Sequence, residues 1–120
     1  MRFVGRVSRG LVEDSGLVRL DDPPFHVLVA LVDGVACAIE DACNHAGASL
    51  SDGERIGASV VCPMHGYRFD LITGRLLAPL GLCGDQRRLI ARVVGDEILV
   101  WDPGAEVAIV GGSPGSGRLA

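Results

Sequence analysis

The apolar positions of this chain fall in short runs separated by turn-forming pairs. Val27–Val32 is an unbroken apolar stretch, residues 35–39 form a second, and Asp33-Gly34 stands between them as a two-residue hairpin signal. Near the other end, Arg88–Val94 and residues 97–101 flank Gly95-Asp96 in the same way. Residues 3–9 and 17–20 are strand-like, and Asp21-Asp22-Pro23-Pro24 reads as a turn. Continuous apolar runs of this length suit strands buried on both faces. No segment shows a helical period, so the pattern predicts an all-β fold built on antiparallel hairpins.

Between the two hairpins lies an insert of about residues 41–82 with a different texture. Its expected strands are Ser59–Val61 and residues 67–71. A turn at Ile72-Thr73-Gly74 leads into residues 75–78, and a loop follows, Pro79-Leu-Gly-Leu-Cys-Gly-Asp85. Residues 1–103 are expected to be one domain and 104–120 a tail. Its end, 111–120, is rich in Gly and Ser, cannot bury a core, and is expected to be disordered.

Composition narrows the function. With 120 residues and a hydrophobic fraction of 48%, one domain has ample core. The formal net charge of −4 argues against a nucleic-acid partner. No secretory leader and no long apolar segment are visible, so no membrane association is expected and the cytoplasm is the expected compartment.

The chemistry is concentrated in four residues. Cys43 and His45 form a Cys-x-His pair, and Cys62 and His65 form a Cys-x-x-His pair sixteen residues further on. Two apart on extended backbone, Cys43 and His45 leave on one side; Pro63 stiffens the turn between Cys62 and His65. Each pair supplies one thiolate and one imidazole, the ligand set of a Rieske [2Fe–2S] cluster. Structural zinc is the competing reading of a Cys/His quartet, but zinc fingers usually pair Cys with Cys and His with His. His26 stands far in sequence from both pairs and is read as structural. Asp52, Glu54 and Asp85 are read first as solvated loop charges. Cys37, in an apolar run, is expected to be a small buried hydrophobe, and Cys83 a loop thiol.

Around the ligands the sequence runs Cys43-Asn-His45-Ala-Gly47-Ala-Ser-Leu50 and Cys62-Pro-Met-His65-Gly66-Tyr-Arg-Phe-Asp70. These two loops resemble those of soluble Rieske-type ferredoxins, the electron-carrying components of bacterial ring-hydroxylating oxygenases, and the resemblance extends over about residues 3–101. It implies a Rieske (ISP-like) fold, an antiparallel β-sandwich base with an inserted cluster-binding subdomain. It implies one [2Fe–2S] cluster on Cys43, His45, Cys62 and His65. It also implies a one-electron carrier, not itself an enzyme, that docks transiently with a flavin- or iron–sulfur-containing reductase and with a terminal oxygenase, an aromatic-ring dioxygenase or a related monooxygenase. A monomer is expected. An accessory subunit of a larger oxidoreductase, such as nitrite reductase, is the alternative; many such subunits have lost the ligands that this chain keeps.

The resemblance further assigns Gly47, Met64, Gly66, Tyr67, Phe69, Pro79 and Leu80 to the surroundings of the cluster and its docking rim, with Pro79 in a loop that covers one side. High-potential respiratory members place two more cysteines in the ligand loops; Ala48 and Met64 stand there in this chain. They also place Ser and Tyr hydroxyls near the sulfurs, where this chain has Tyr67 and Phe69. Fewer donors stabilise the reduced cluster less, so the potential is expected near the low end of the roughly −150 to +300 mV Rieske range. Reduction should raise the pKa of the ligand imidazoles, and the potential should then fall at alkaline pH.

Overall fold

The computed structural model describes residues 1–43, 47–64, 66–81 and 83–104. Asn44, His45, Ala46, His65, Leu82 and residues 105–120 therefore lie outside the described residues, and with them two of the four expected ligands and almost all of the expected tail.

The chain opens with β1 (Arg2–Ser8), a short helix α1 (Arg9–Ser15), β2 (Val18–Leu20), β3 (Val27–Val32) and β4 (Val35–Glu40). The insert supplies β5 (Glu54–Ile56), β6 (Ser59–Val61), β7 (Arg68–Asp70) and β8 (Leu76–Ala78), and the chain returns through β9 (Arg88–Val94) and β10 (Glu97–Asp102). Every strand pair is antiparallel. Six strands form one sheet in the order β1-β10-β9-β4-β3-β2, and the four insert strands form a second, β5-β6-β7-β8.

Both expected hairpins are present. Val32 pairs with Val35 across Asp33-Gly34, whose φ values of 51° and 79° are those a tight two-residue turn requires. Val94 pairs with Glu97 across Gly95-Asp96.

The apolar runs of β3 and β4 are explained by two cores that share one wall. Val27 and Val29 of β3 and Ala38 of β4 point into a core completed by Val12, Leu89, Ile98 and Val100. Val4, Val7, Val18 and Leu20 also pack there, so all six strands of the large sheet contribute and the sheet curls on itself. The alternate residues Leu28, Ala30, Val32, Cys37 and Ile39 face the opposite way. They form the second core with Leu50, Val60, Phe69, Leu71 and Leu76 of the insert. A strand walled on both faces has no place for a polar alternate.

Helix α1 is a correction to the strand-only expectation. Ser8 accepts the Leu11 N–H at its N-terminus, and Gly16, φ 82°, ends it. Two turns bury only Val12, too little for a hydrophobic period to show. The cap residues were the available signal.

Arg55 ties the insert to the base. Its Nε donates to Gly57 O (2.8 Å), Nη1 to Gly16 O (3.1 Å) and Nη2 to Leu31 O (2.7 Å). One guanidinium thus joins the end of α1, the end of β3 and the β5–β6 turn. Arg55→Met keeps the apolar stem and removes three charge-assisted bonds, with an expected loss of about 2–3 kcal/mol. Urea unfolding followed by circular dichroism measures it; a loss under about 0.5 kcal/mol would mean that water replaces these bonds freely.

Candidate metal centre

The first ligand loop leaves β4 through Asp41, which is fully buried. Its Oδ1 accepts the Ser51 N–H (2.7 Å) and its Oδ2 accepts the Ser51 hydroxyl (2.8 Å). The Leu50 N–H donates to Asp41 O, and Ala42 bridges Ser49. Inside that frame the Cys43 N–H donates to Ala48 O (2.7 Å), and the Gly47 N–H donates back to Cys43 O (2.7 Å). The second loop joins β6 to β7. There the Cys62 N–H donates to Tyr67 O (2.7 Å), and the Gly66 N–H donates to Cys62 O (3.0 Å).

Among the described residues the two loops therefore carry the same backbone hydrogen-bond pattern. Each begins at a cysteine and closes on the backbone of the residue five positions on. Each passes through a glycine at the fourth, with φ 73° at both Gly47 and Gly66. That left-handed conformation is one a side chain would strain. The repeat Cys-x-x-x-Gly stands in the sequence at both places. The histidines obscure it because they sit at different offsets within it, His45 two residues after its cysteine and His65 three.

The structure brings both cysteines into the second core. Cys43 is 1% and Cys62 2% exposed, in the same cluster as Leu50, Val60, Tyr67 and Phe69. Tyr67 and Phe69 are thus packing residues beneath the loops. Gly47, Met64, Gly66, Pro79 and Leu80 are exposed, with Met64 at 62% and Leu80 at 76%.

A third loop, from Pro79 to Asp85, is held at its end. Asp85 Oδ1 accepts the Leu76 N–H (2.8 Å), so Asp85 is a turn-forming residue as well as a loop charge. The buried Gln86 donates from Nε2 to Glu40 O (2.9 Å) and to Ala42 O (2.8 Å), pinning this loop to the stem of the first. No signal in the sequence around Gln86 marks it for this role.

The remaining cysteines differ in kind. Burial pushes the Cys37 thiol up to about 11, and its Sγ donates to Ala30 O (3.5 Å) within the sheet. The Cys83 thiol is also raised, first by burial, then by Asp85 and by Cys62. None of the four cysteines is in a disulfide. His26, at φ 60°, accepts the Asp22 N–H on Nδ1 (3.1 Å) and closes the turn before β3, as a structural residue would. A cavity of about 200 Å³ beside it is lined by residues such as Arg2, Phe25, Glu40 and Asp102, none of them from the cysteine loops.

Two buried thiols at the heads of matched loops, with the protein core behind them, suit metal–sulfur chemistry better than hydrolysis. The model of the Rieske [2Fe–2S] domain matches residues 8–79. The chain belongs to this family. A curated relative, the ferredoxin component of biphenyl 2,3-dioxygenase from Rhodococcus jostii (strain RHA1), is 32% identical over 93 residues, covering 78% of this chain and 86% of that one. Among solved structures, the ferredoxin of carbazole 1,9a-dioxygenase from Nocardioides aromaticivorans IC177 superposes with a TM-score of 0.73 at 27% identity. That match covers 83% of this chain and 97% of the other. A chain from the complex of reduced oxygenase and oxidized ferredoxin in carbazole 1,9a-dioxygenase gives a TM-score of 0.64 at 29% identity, over 71% of this chain and 87% of that one. Among the described residues no helix is long and apolar enough to cross a membrane.

Proposed function

We propose that this Rieske chain is a one-electron carrier that takes electrons from a reductase and delivers them to a terminal oxygenase. The observation that carries the reading is the doubled Cys-x-x-x-Gly turn, which puts Cys43 and Cys62 in one buried core. The buried thiols fit a metal–sulfur group: a thiolate drawn into an apolar core is costly unless a metal takes its charge. Cys43 and Cys62 would bind one iron as thiolates, and His45 and His65 the other through imidazole nitrogen. The bound [2Fe–2S] cluster supplies reversible one-electron chemistry.

The rest is the work of the chain. The core behind Cys43 and Cys62 keeps water from the sulfurs. Gly47 and Gly66, having no side chains, leave backbone rather than bulk at the outer surface of both loops. Met64, Pro79 and Leu80 give that surface an apolar rim fit for a small, transient contact. The biphenyl relative is named as a ferredoxin component of a dioxygenase, and one structural neighbour comes from a complex of oxygenase and ferredoxin; both support this assignment. The chain acts as an electron-transfer component, working as a monomer in the cytoplasm on residues 1–103.

Voltammetry of the anaerobically purified protein tests the proposal. A reversible one-electron wave is expected near the low end of the roughly −150 to +300 mV Rieske range. Ala48 packs against the core and Met64 is exposed where a disulfide between the loops would stand, and Phe69 offers no hydroxyl. The potential should fall as the pH becomes alkaline. A value well above zero would overturn the assigned surroundings, and a wave flat with pH would remove the histidines from the ligand set.

A further inference from the structure

We propose that Gln86 is a positioning residue for the metal centre: its side-chain amide fixes where the first cysteine loop stands relative to the second, and without it a bound cluster is held loosely. The inference rests on the reading of Cys43 and Cys62 as ligands. Gln86 is 3% exposed, and its two ends are bonded to different halves of the site. At the side-chain end, Nε2 donates to Glu40 O (2.9 Å) and to Ala42 O (2.8 Å). An amide group has two hydrogens, so one side chain serves both carbonyls. Glu40 ends β4 and Ala42 directly precedes Cys43, so these bonds hold the stem up to the residue before the first thiol. At the backbone end, the Gln86 N–H donates to Gly74 O (2.7 Å), and the Gly74 N–H donates to Asp70 O (2.8 Å). Asp70 ends β7, the strand that follows Tyr67, and Tyr67 O closes the second cysteine loop by accepting the Cys62 N–H.

Gly74 shows how closely the two parts are fitted. Its φ is 80°, and a Cβ there would lie 2.3 Å from Gln86 O and 3.4 Å from Ile39 Cγ2. Glycine lets the backbone that carries Gln86 come this near to the turn after β7. Other bonds of the first stem run within its own loop, from Ser51 to Asp41, or to the base, from the Asp41 N–H to His26 O and the Ala42 N–H to Phe25 O. Gln86 relates that stem to the insert. The core that Cys43 and Cys62 share also holds the loops together, but apolar attraction has no direction and leaves the loops room to slide. Two short bonds with fixed donors and acceptors set a register. A metal site needs that register, because its ligands must be held to within about 0.5 Å.

The test uses the full-length chain loaded with iron and sulfide, and reads the rate at which its visible absorption bleaches in excess chelator. Gln86→Met keeps the length and volume of the side chain and removes both donors. It should bleach at least about tenfold faster than the parent, the effect expected when a residue that supports a metal ligand is lost. Its potential should also rise, because a looser loop admits water, and water stabilises the more negative reduced state. Gln86→Glu keeps the outline but sets a carboxylate against the two carbonyls in mildly alkaline buffer, and should bleach faster still. Arg55→Met is the comparison for stability alone, since its bonds lie at α1, β3 and the β5–β6 turn. It should bleach within about twofold of the parent, at an unchanged potential. Equal bleaching of Gln86→Met and the parent, or of Gln86→Met and Arg55→Met, would overturn the proposal. So would a Gln86→Met chain that has lost the circular dichroism of the parent, which would make Gln86 a residue of the fold. A folded Gln86→Met chain that holds no cluster is the extreme form of the expected result. A parent chain that takes up neither iron nor sulfide would refute the ligand reading itself, and the proposal with it.

Discussion

Cys62→Ser is expected to give a folded chain with neither bound iron nor acid-labile sulfide, against about two irons and two sulfides in the parent. The loop should survive the change, because the bonds that shape it run from the Cys62 N–H to Tyr67 O and from the Gly66 N–H to Cys62 O, both backbone. What is lost is the thiolate. A serine hydroxyl does not ionise at neutral pH and is a poor ligand for iron beside sulfide. Cys43→Ser should behave in the same way, since Cys43 heads the matching turn. Cys37→Ser is the control: its side chain bonds to Ala30 O inside the sheet, a bond that a hydroxyl can keep, and its iron content should match the parent. Iron and sulfide analysis, the visible spectrum and far-ultraviolet circular dichroism read the outcome. A Cys62→Ser chain with full iron would remove Cys62 from the ligand set. Zinc without sulfide in the parent would make this a structural zinc domain.

The parts of this molecule that were legible in its sequence are those governed by neighbours along the chain. Asp33-Gly34 and Gly95-Asp96 specify their turns locally, and the strands on either side are paired as expected. The unbroken run of β3 announced burial on both faces, and the two cores that it divides supply the reason. Where two distant segments meet, the sequence was silent. Nothing local to Arg55 says that its partners are Gly16 and Leu31, and nothing local to Gln86 points to Glu40 and Ala42. Helix α1 escaped because seven residues with one buried side chain make no pattern, and β5 because Glu54–Ile56 is too short for one. The ligand residues were conspicuous by type and spacing. The equivalence of their loops was not, because it is a hydrogen-bond pattern around Gly47 and Gly66 and the histidines obscure it.

Phe69→Ala should be the most damaging single change away from the ligands. Phe69 is fully buried on β7, with Val60 and Leu76 as its cross-strand partners and Leu28 and Ile39 in the facing wall of the same core. Truncating a buried phenylalanine costs about 3–5 kcal/mol, from lost transfer energy and from the cavity left behind. A domain of this size has about 5–15 kcal/mol in all. The midpoint of thermal unfolding should therefore drop by more than about 10 °C. The damage should also reach the metal. This core packs the insert onto β3 and β4 and includes Cys43 and Cys62 themselves, so loosening it loosens the loops that head toward the cluster. Iron content should fall with stability. Leu77→Ala provides the contrast, since Leu77 neighbours the same strand pair but is 42% exposed, and its loss should stay within about 0.5 kcal/mol with iron retained. Calorimetry of both variants, each with iron analysis, separates the cases. If Phe69→Ala lost less than about 1 kcal/mol, the insert would be held to the base chiefly by polar ties such as Arg55 and Gln86, and the shared core would be a consequence of docking rather than its cause.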